Sequence, residues 1–206
     1  MIIWYLVGDR TIEDCICFIK DVVSRIKGNP LFTSDELPHY EDALLEAYHI
    51  LELPEPTGKR GRPRKPRKVV DPELDYAVVH KIRKDNRIVK VERKVIFGDL
   101  CRIESRLAGS TSNTINTAYV ERSNGILRQH VSSLRRKSLC FAKQKRLLEA
   151  RIAIVIAYYN FIKPHTTLSK NSDKTVTPRT PAQVAGITNS IWSLGYLLAR
   201  PSYLTD

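Results

Sequence analysis

Asp35 and Glu121 are the two carboxylates whose surroundings could support chemistry, and Asp35 is the first in chain order. It follows the apolar residues 31–33, which predict a strand. The carboxyl ends of parallel strands are where open α/β sheets usually hold their sites. An Asp immediately before a helix is also a common capping residue, so both interpretations of Asp35 stay open.

Glu121 belongs to a helical pattern in which Asn124 and Arg128 follow at i+3 and i+7 and therefore share its face. A carboxylate beside an amide and a guanidinium suits a metal site next to a phosphate backbone. Nine residues between Arg122 and Arg151 are basic, which favours contact with a polyanion. The alternative is a solvated helix face on which Glu and Arg balance each other.

Residues 58–68 form a basic segment rich in proline, which excludes a helix or a central strand and predicts an exposed, extended chain. Its centre matches the AT-hook pattern Arg-Gly-Arg-Pro. Gly61 permits close backbone approach, Pro63 keeps the chain extended, and guanidinium groups favour the negative potential of a narrow minor groove. The predicted DNA contacts here are Lys59, Arg60, Arg62, Arg64 and Lys65; a solvated basic linker is the alternative.

Charge is distributed unevenly along the 206 residues, whose formal net charge is +12. Residues 1–57 carry four basic and eleven acidic side chains, whereas residues 58–206 carry thirty basic and eleven acidic ones. This composition favours a polyanionic partner. No apolar run approaches the roughly 20 residues of a membrane span, and no signal peptide is recognisable, so we expect a cytoplasmic, nucleoid-associated protein without a membrane partner.

The four cysteines are expected to be reduced thiols, because their number and spacing fit neither a disulfide scaffold nor a common zinc site. Cys15 and Cys17 lie in a helical pattern and are interpreted as small packing residues.

The hydrophobic pattern predicts an α/β fold. We expect a strand at residues 2–7, a helix from Thr11, a strand at 31–33 and a helix after Pro38, with the two strands parallel. A β-hairpin is expected at 76–98, a loop at 105–117, and helices at 118–139 and 143–162, the last ended by Pro164. Thr180 is expected to cap a short helix, and the apolar patch around Trp192 to pack back on the body of the protein.

Four segments in order, FTSDELPHY, INTAYVERSNGILRQH, RRKSLCFAKQ and YYNFIKPHTTL, followed by TPAQVAG, resemble DDE-type transposases of insertion sequences in the integrase-like superfamily. The resemblance spans almost the whole chain. It implies an RNase H-like core in residues 1–165, with the hairpin of 76–98 inserted in it, and a helical tail in 166–206. It also implies an acidic triad that holds two Mg²⁺ ions for DNA cleavage and strand transfer, and self-association on double-stranded DNA at transposon ends and targets.

Carried over by motif, Asp35 resembles the second acidic ligand and Glu121 the third. The family's basic helix pattern is matched by Asn124, Arg128, Arg135, Arg136 and Lys137.

The first acidic ligand has no counterpart, because MIIWYLVGDRT aligns with the last strand before the first helix and the opening strands are absent. Asp9 is interpreted as a turn residue. Two carboxylates are too few to fix two Mg²⁺ ions. The hypothesis is therefore a truncated or inactive transposase. The alternatives are a non-catalytic DNA-binding remnant or inhibitor of the full-length enzyme and, less favoured because no aromatic stacking signature is present, an RNA-binding protein.

Overall fold

A computed structural model describes residues 1–54, 65–85, 87–110, 112–169 and 176–199. The chain divides into two compact units. The sheet unit is Gly8–Glu121, and the helical unit combines Met1–Val7 with Arg122–Asp206. The division falls inside the expected core range 1–165, between two residues of one helix. Among the described residues, no helix is long and apolar enough to cross a bilayer.

The sheet unit holds all the strands of five residues or more that the structure describes. Its elements are α1 (Ile12–Arg25), β1 (Leu31–Asp35), α2 (His39–Ala47), β2 (His49–Glu52), β3 (Arg67–Val70), β4 (Asp75–Lys84), β5 (Arg87–Phe97), α3 (Leu100–Ala108) and the first turn of α4 (Ala118–His130). The main sheet has the order β1-β4-β5, with β1 parallel and β5 antiparallel to β4. Strands β2 and β3 form a separate antiparallel pair. This is a mixed α/β unit, as the hydrophobic pattern predicts.

Each face of the main sheet packs against its own apolar layer. On one face, Tyr76 packs with Cys15 and Ile19 of α1 and with Ala43 and Leu44 of α2. On the other face, a second buried cluster consists of Ala77, Val79, Ile103 and Ile115. The middle strand β4 therefore contributes to both layers, and the hairpin predicted at 76–98 supplies the centre of the sheet.

Two arginines of α3 fix this helix to the start of β4. The Asp75 carboxylate is fully buried, and both of its oxygens accept hydrogen bonds from Arg102 at 2.6 to 3.0 Å. Arg106 Nε lies 3.3 Å from Asp75 Oδ2. Gly98 has a φ of +102°, and a Cβ at this position would overlap the Asp75 carboxylate. Glycine is thus required where β5 turns into α3.

The helical unit comprises the rest of α4, a 3₁₀ turn (Ser132–Leu134), α5 (Lys145–Ala157), a π-helical turn (Tyr158–Ile162), α6 (Thr166–Ser169), α7 (Pro181–Val184) and α8 (Leu194–Ala199). Thr180 and Gln183 form a complete capping box on α7. Trp192 stacks on Phe161 with ring centroids 4.4 Å apart. The predicted cap is confirmed. Of the apolar patch, Trp192 packs on Phe161 within this unit, whereas Ile191, Leu194 and Leu198 are exposed.

The predicted strand at residues 2–7 is wrong, and with it the predicted parallel pair between residues 2–7 and 31–33. The backbone N–H of Ile2 donates to the Asn160 side chain at 2.9 Å, and the Asn160 amide donates back to the Ile2 carbonyl at 2.8 Å. A run of β-formers becomes a strand only where another strand offers its backbone groups. Here β1 takes β4 as its parallel neighbour instead.

Two other predicted boundaries are corrected. Residues 105–108 are the end of α3 and not part of a loop, because the Asp99 side chain caps a helix that starts at Leu100. The helix predicted over 118–139 ends at His130. Val131 leaves the helical conformation and is buried, and the chain then makes a single 3₁₀ turn.

Candidate functional site

One face of the main sheet carries Asp35, the first of the two carboxylates that the sequence singled out. In the parallel register Thr33 lies opposite Ala77, and Asp35 lies opposite Val79. Side chains alternate along a strand, so Thr33 and Asp35 belong to the same face as Val79 and Lys81. Asp35 is the last residue of β1, at its carboxyl end, and is exposed.

The segment before α4 lies across this same face. The Thr33 hydroxyl donates to the Asn116 carbonyl at 3.4 Å, and the Arg93 Nε–H donates to the Ile115 carbonyl at 2.8 Å. Ile115 is buried in the apolar layer beneath. These contacts fix where α4 starts, and Glu121 follows in its first turn.

Glu121 is held by two donors within the sheet unit. Its carboxylate accepts a hydrogen bond from the Lys81 ammonium and a second one, at 3.0 Å, from the Thr117 hydroxyl. The Lys81 hydrogen bond, the largest effect, holds the pKa of Glu121 below its ordinary value against a smaller opposing effect of partial burial. Glu121 is therefore a charged, oriented carboxylate at neutral pH.

Asp35 has a different environment from Glu121. Helix α2 begins at His39 after Pro38 and has no side-chain cap, so the structure does not use Asp35 as a helix cap. The Asp35 carbonyl accepts from the Leu37 N–H at 2.9 Å, which turns the chain away from the strand. Its carboxylate charge also acts on Tyr40 and Tyr76, whose pKa values are raised mainly by burial.

The residues present do not complete a two-magnesium site. Asp35 and Glu121 have the oxygen ligands that Mg²⁺ prefers. One oxygen of Glu121 is taken by Lys81 and Thr117, however, and within the described ranges no group of three or more His, Cys, Asp or Glu side chains could hold a metal ion. Two carboxylates, one of them paired with a lysine, leave most of the coordination shell of two hard cations unfilled.

Sequence reasoning missed two partners on β4. Lys81 binds Glu121, and the side chain of the neighbouring His80 contacts the carboxylate of Glu36, the residue after Asp35. Side chains alternate along β4, so the sequence could have placed Lys81 on the same face as Ala77 and Val79. The sequence does not show that β4 pairs with β1. This pairing places Asp35 on the same sheet face as Lys81.

The predicted DNA contacts are distributed over different local structures. Asn124 and Arg128 lie one helical turn apart on α4, and both are exposed. The run Arg135-Arg136-Lys137 is also exposed, but it does not continue the helix as predicted. It follows the 3₁₀ turn, and Lys137 has a φ of 55°, which a helix does not accommodate.

Most of the predicted AT-hook contacts lie outside the described residues, namely Lys59, Arg60, Arg62 and Arg64. Lys65 is described and is exposed.

Comparison of the chain with protein-family models, with curated proteins and with solved structures gives no significant match.

Proposed function

We propose that this chain is a duplex-DNA-binding protein of the DDE transposase type. The observation that carries the proposal is the exposed face of α4 and the turn after it, where Asn124, Arg128 and Arg135-Arg136-Lys137 are all open to solvent. Clustered arginines and lysines release the counterions condensed on a phosphate backbone, which is the main source of affinity for DNA. The four ordered motifs support the transposase type among DNA-binding proteins.

Duplex binding in EDTA tests this proposal without any metal. We expect the logarithm of the affinity for a 25-base-pair duplex to fall linearly with the logarithm of salt concentration. Arg128→Ala combined with Arg136→Ala should make this slope shallower by about 2. Each phosphate that the protein no longer neutralises accounts for roughly 0.9 of the change. The matched control, Lys20→Ala with Lys27→Ala, removes two exposed charges from α1 and the turn after it and should leave the slope unchanged. Absence of salt-dependent binding by the unmodified chain would contradict the proposal.

DNA strand transfer is the second candidate function, favoured by the position of Asp35 and Glu121 on one sheet face. In a two-metal reaction such carboxylates hold the ions that act on the attacking and leaving oxygens. The described residues do not complete such a site, so DNA binding is the leading candidate.

Variants of the two carboxylates separate the candidates. If DNA binding is the whole function, Asp35→Asn and Glu121→Gln should leave the dissociation constant for DNA unchanged, and no nicked or joined product should form with Mg²⁺. Strand transfer by the purified chain that needs Mg²⁺ and is abolished by Asp35→Asn would establish the catalytic candidate instead.

A further inference from the structure

Strands β4 and β5 continue well beyond the end of β1, their partner in the sheet. β1 ends at Asp35, opposite Val79, whereas β4 runs on to Lys84. Five further residue pairs, from His80 with Glu92 to Lys84 with Arg87, join β4 and β5 alone. We name residues 80–85 and 87–92 the β-arm. At 3.3 to 3.4 Å per residue, the five pairs extend about 17 Å past β1.

The β-arm and the two residues after it are strongly basic. Residues 80–94 contain seven basic and two acidic side chains. At the tip, Lys84 and Arg87 lie directly opposite each other in the ladder, and within the described part of the chain neither makes an ion pair. Like charges directly opposite in a ladder are destabilising. A bound polyanion would relieve this repulsion. The two residues are therefore better explained by binding a ligand than by stabilising the fold.

Basic side chains lie on both faces of the β-arm. By strand alternation and the ladder register, the exposed Arg83 belongs to one face, and the exposed Lys84 and Arg87 to the other. A membrane-surface element separates an apolar face from a basic one. Charge on both faces instead fits a groove with phosphates along both walls.

The tip also exposes apolar side chains beside these charges. Ile88 is 51% exposed and Val89 59% exposed, and Val89 is the extra residue of a β-bulge between the pairs Ile82–Lys90 and Arg83–Ile88. In the major groove of DNA, each thymine presents a methyl group to such side chains.

We propose that the β-arm inserts into the major groove of duplex DNA, with Lys84 and Arg87 contacting phosphates and Ile88 and Val89 contacting base edges. This inference rests on the proposed DNA-binding function and adds a surface to it. The major groove of B-DNA is about 12 Å wide and admits a two-stranded β-ribbon. The major groove of A-form RNA is too narrow for side chains to enter, so the same geometry discriminates against duplex RNA.

The test compares Lys84→Ala/Arg87→Ala with the control Lys20→Ala/Lys27→Ala, using a 25-base-pair duplex in EDTA. The β-arm variant should bind about tenfold or more weakly at 0.1 M salt and lower the salt slope by about 2, whereas the control should match the unmodified chain. Dimethyl sulfate should show protection of guanine N7, a major-groove atom, by the unmodified chain and not by the β-arm variant. Circular dichroism should show both variants folded.

Each result decides between the two proposals. Binding by the β-arm variant equal to that of the control overturns the β-arm proposal and leaves the proposed function standing. Weakened binding with guanine N7 still fully protected, or equal affinity of the unmodified chain for a duplex RNA of the same sequence, also overturns it. No binding of duplex DNA by the unmodified chain overturns the proposed function and the β-arm proposal together.

Discussion

Lys81 of β4 binds Glu121 of α4. The sequence analysis singled out Glu121 but not Lys81. Lys81 is three-quarters buried at its side chain, with 24% exposure, whereas Glu121 is 58% exposed. This lysine and the Thr117 hydroxyl together orient the more exposed carboxylate. Any cation that binds Glu121 must compete with this lysine, which makes Lys81 the residue that decides whether Glu121 is available as a ligand.

Lys81→Met should raise the pKa of Glu121 towards its ordinary value, because it removes the largest effect that lowers it. The ion pair stabilises the fold above the pKa of Glu in the unfolded chain, about 4.3, and this stabilisation is lost as pH falls through the lowered pKa of the folded state. The unmodified chain should thus lose more stability below about pH 4 than the variant. An NMR titration of the Glu121 carboxyl carbon measures the shift directly.

Lys84→Met is the control for this prediction, since Lys84 is exposed on the same strand and makes no ion pair within the described residues. It should leave the Glu121 titration unchanged. A pKa of Glu121 that does not move in Lys81→Met would contradict the assignment of Lys81 as its main partner.

The attachment of α3 to β4 depends on one buried carboxylate. Asp75 is fully buried, and Arg102 and Arg106 reach it from successive turns of α3. Arg102 also donates to the Pro72 carbonyl at 2.7 Å, which fixes the chain entering β4. Because Ile103 of the same helix fills one apolar layer, the position of α3 sets the packing of that face of the sheet.

Asp75→Asn should lower the free energy of unfolding by about 3 kcal/mol, because it leaves two arginines without their buried counter-charge. Urea denaturation monitored by circular dichroism measures the change. Glu73→Gln is a matched control, since Glu73 contacts the same Arg102 at 3.4 Å but is 64% exposed. It should cost well under about 1 kcal/mol. Equal losses of unfolding free energy in the two variants would show that the burial of Asp75 does not increase its contribution to stability.

The whole chain carries four cysteines, all described and all free. Cys17, Cys101 and Cys140 are exposed, whereas Cys15 is buried in the apolar layer formed by α1, α2 and the sheet. Burial, and to a smaller extent the neighbouring Asp14 charge, raises the pKa of the Cys15 thiol. Because the thiolate is the reactive form, Cys15 combines low access with low reactivity.

A thiol reagent should therefore label three cysteines quickly in the native protein and the fourth only as the sheet unit unfolds. Labelling with a chromogenic disulfide at pH 8, with and without denaturant, measures this difference. Cys15→Ser should remove the slow phase and leave the fast one intact. Four equally fast thiols in the native chain would contradict the packing of α1 described above.

Local signals account for the elements that the sequence predicted correctly. Thr11 and Thr180 accept hydrogen bonds from backbone N–H groups in the first turns of their helices, and the two β-rich runs around residues 85 and 86 form their hairpin. A cap or a tight turn involves residues a few positions apart, so its chemistry is complete within a short stretch of sequence. The α/β class follows from the same short-range periodicity.

The sequence by itself determined the charge distribution, the hairpin, the helix cap at Thr180 and the two carboxylates worth testing. Only the tertiary structure decided that β1 pairs with β4, that residues 2–7 form no strand, and that Lys81 binds Glu121 across 40 residues of chain. The same holds for Asp75, whose arginine partners lie on another element. The physical reason is that strand pairing and ion pairing depend on which distant segments share a core, and hydrophobic periodicity states only which face is buried.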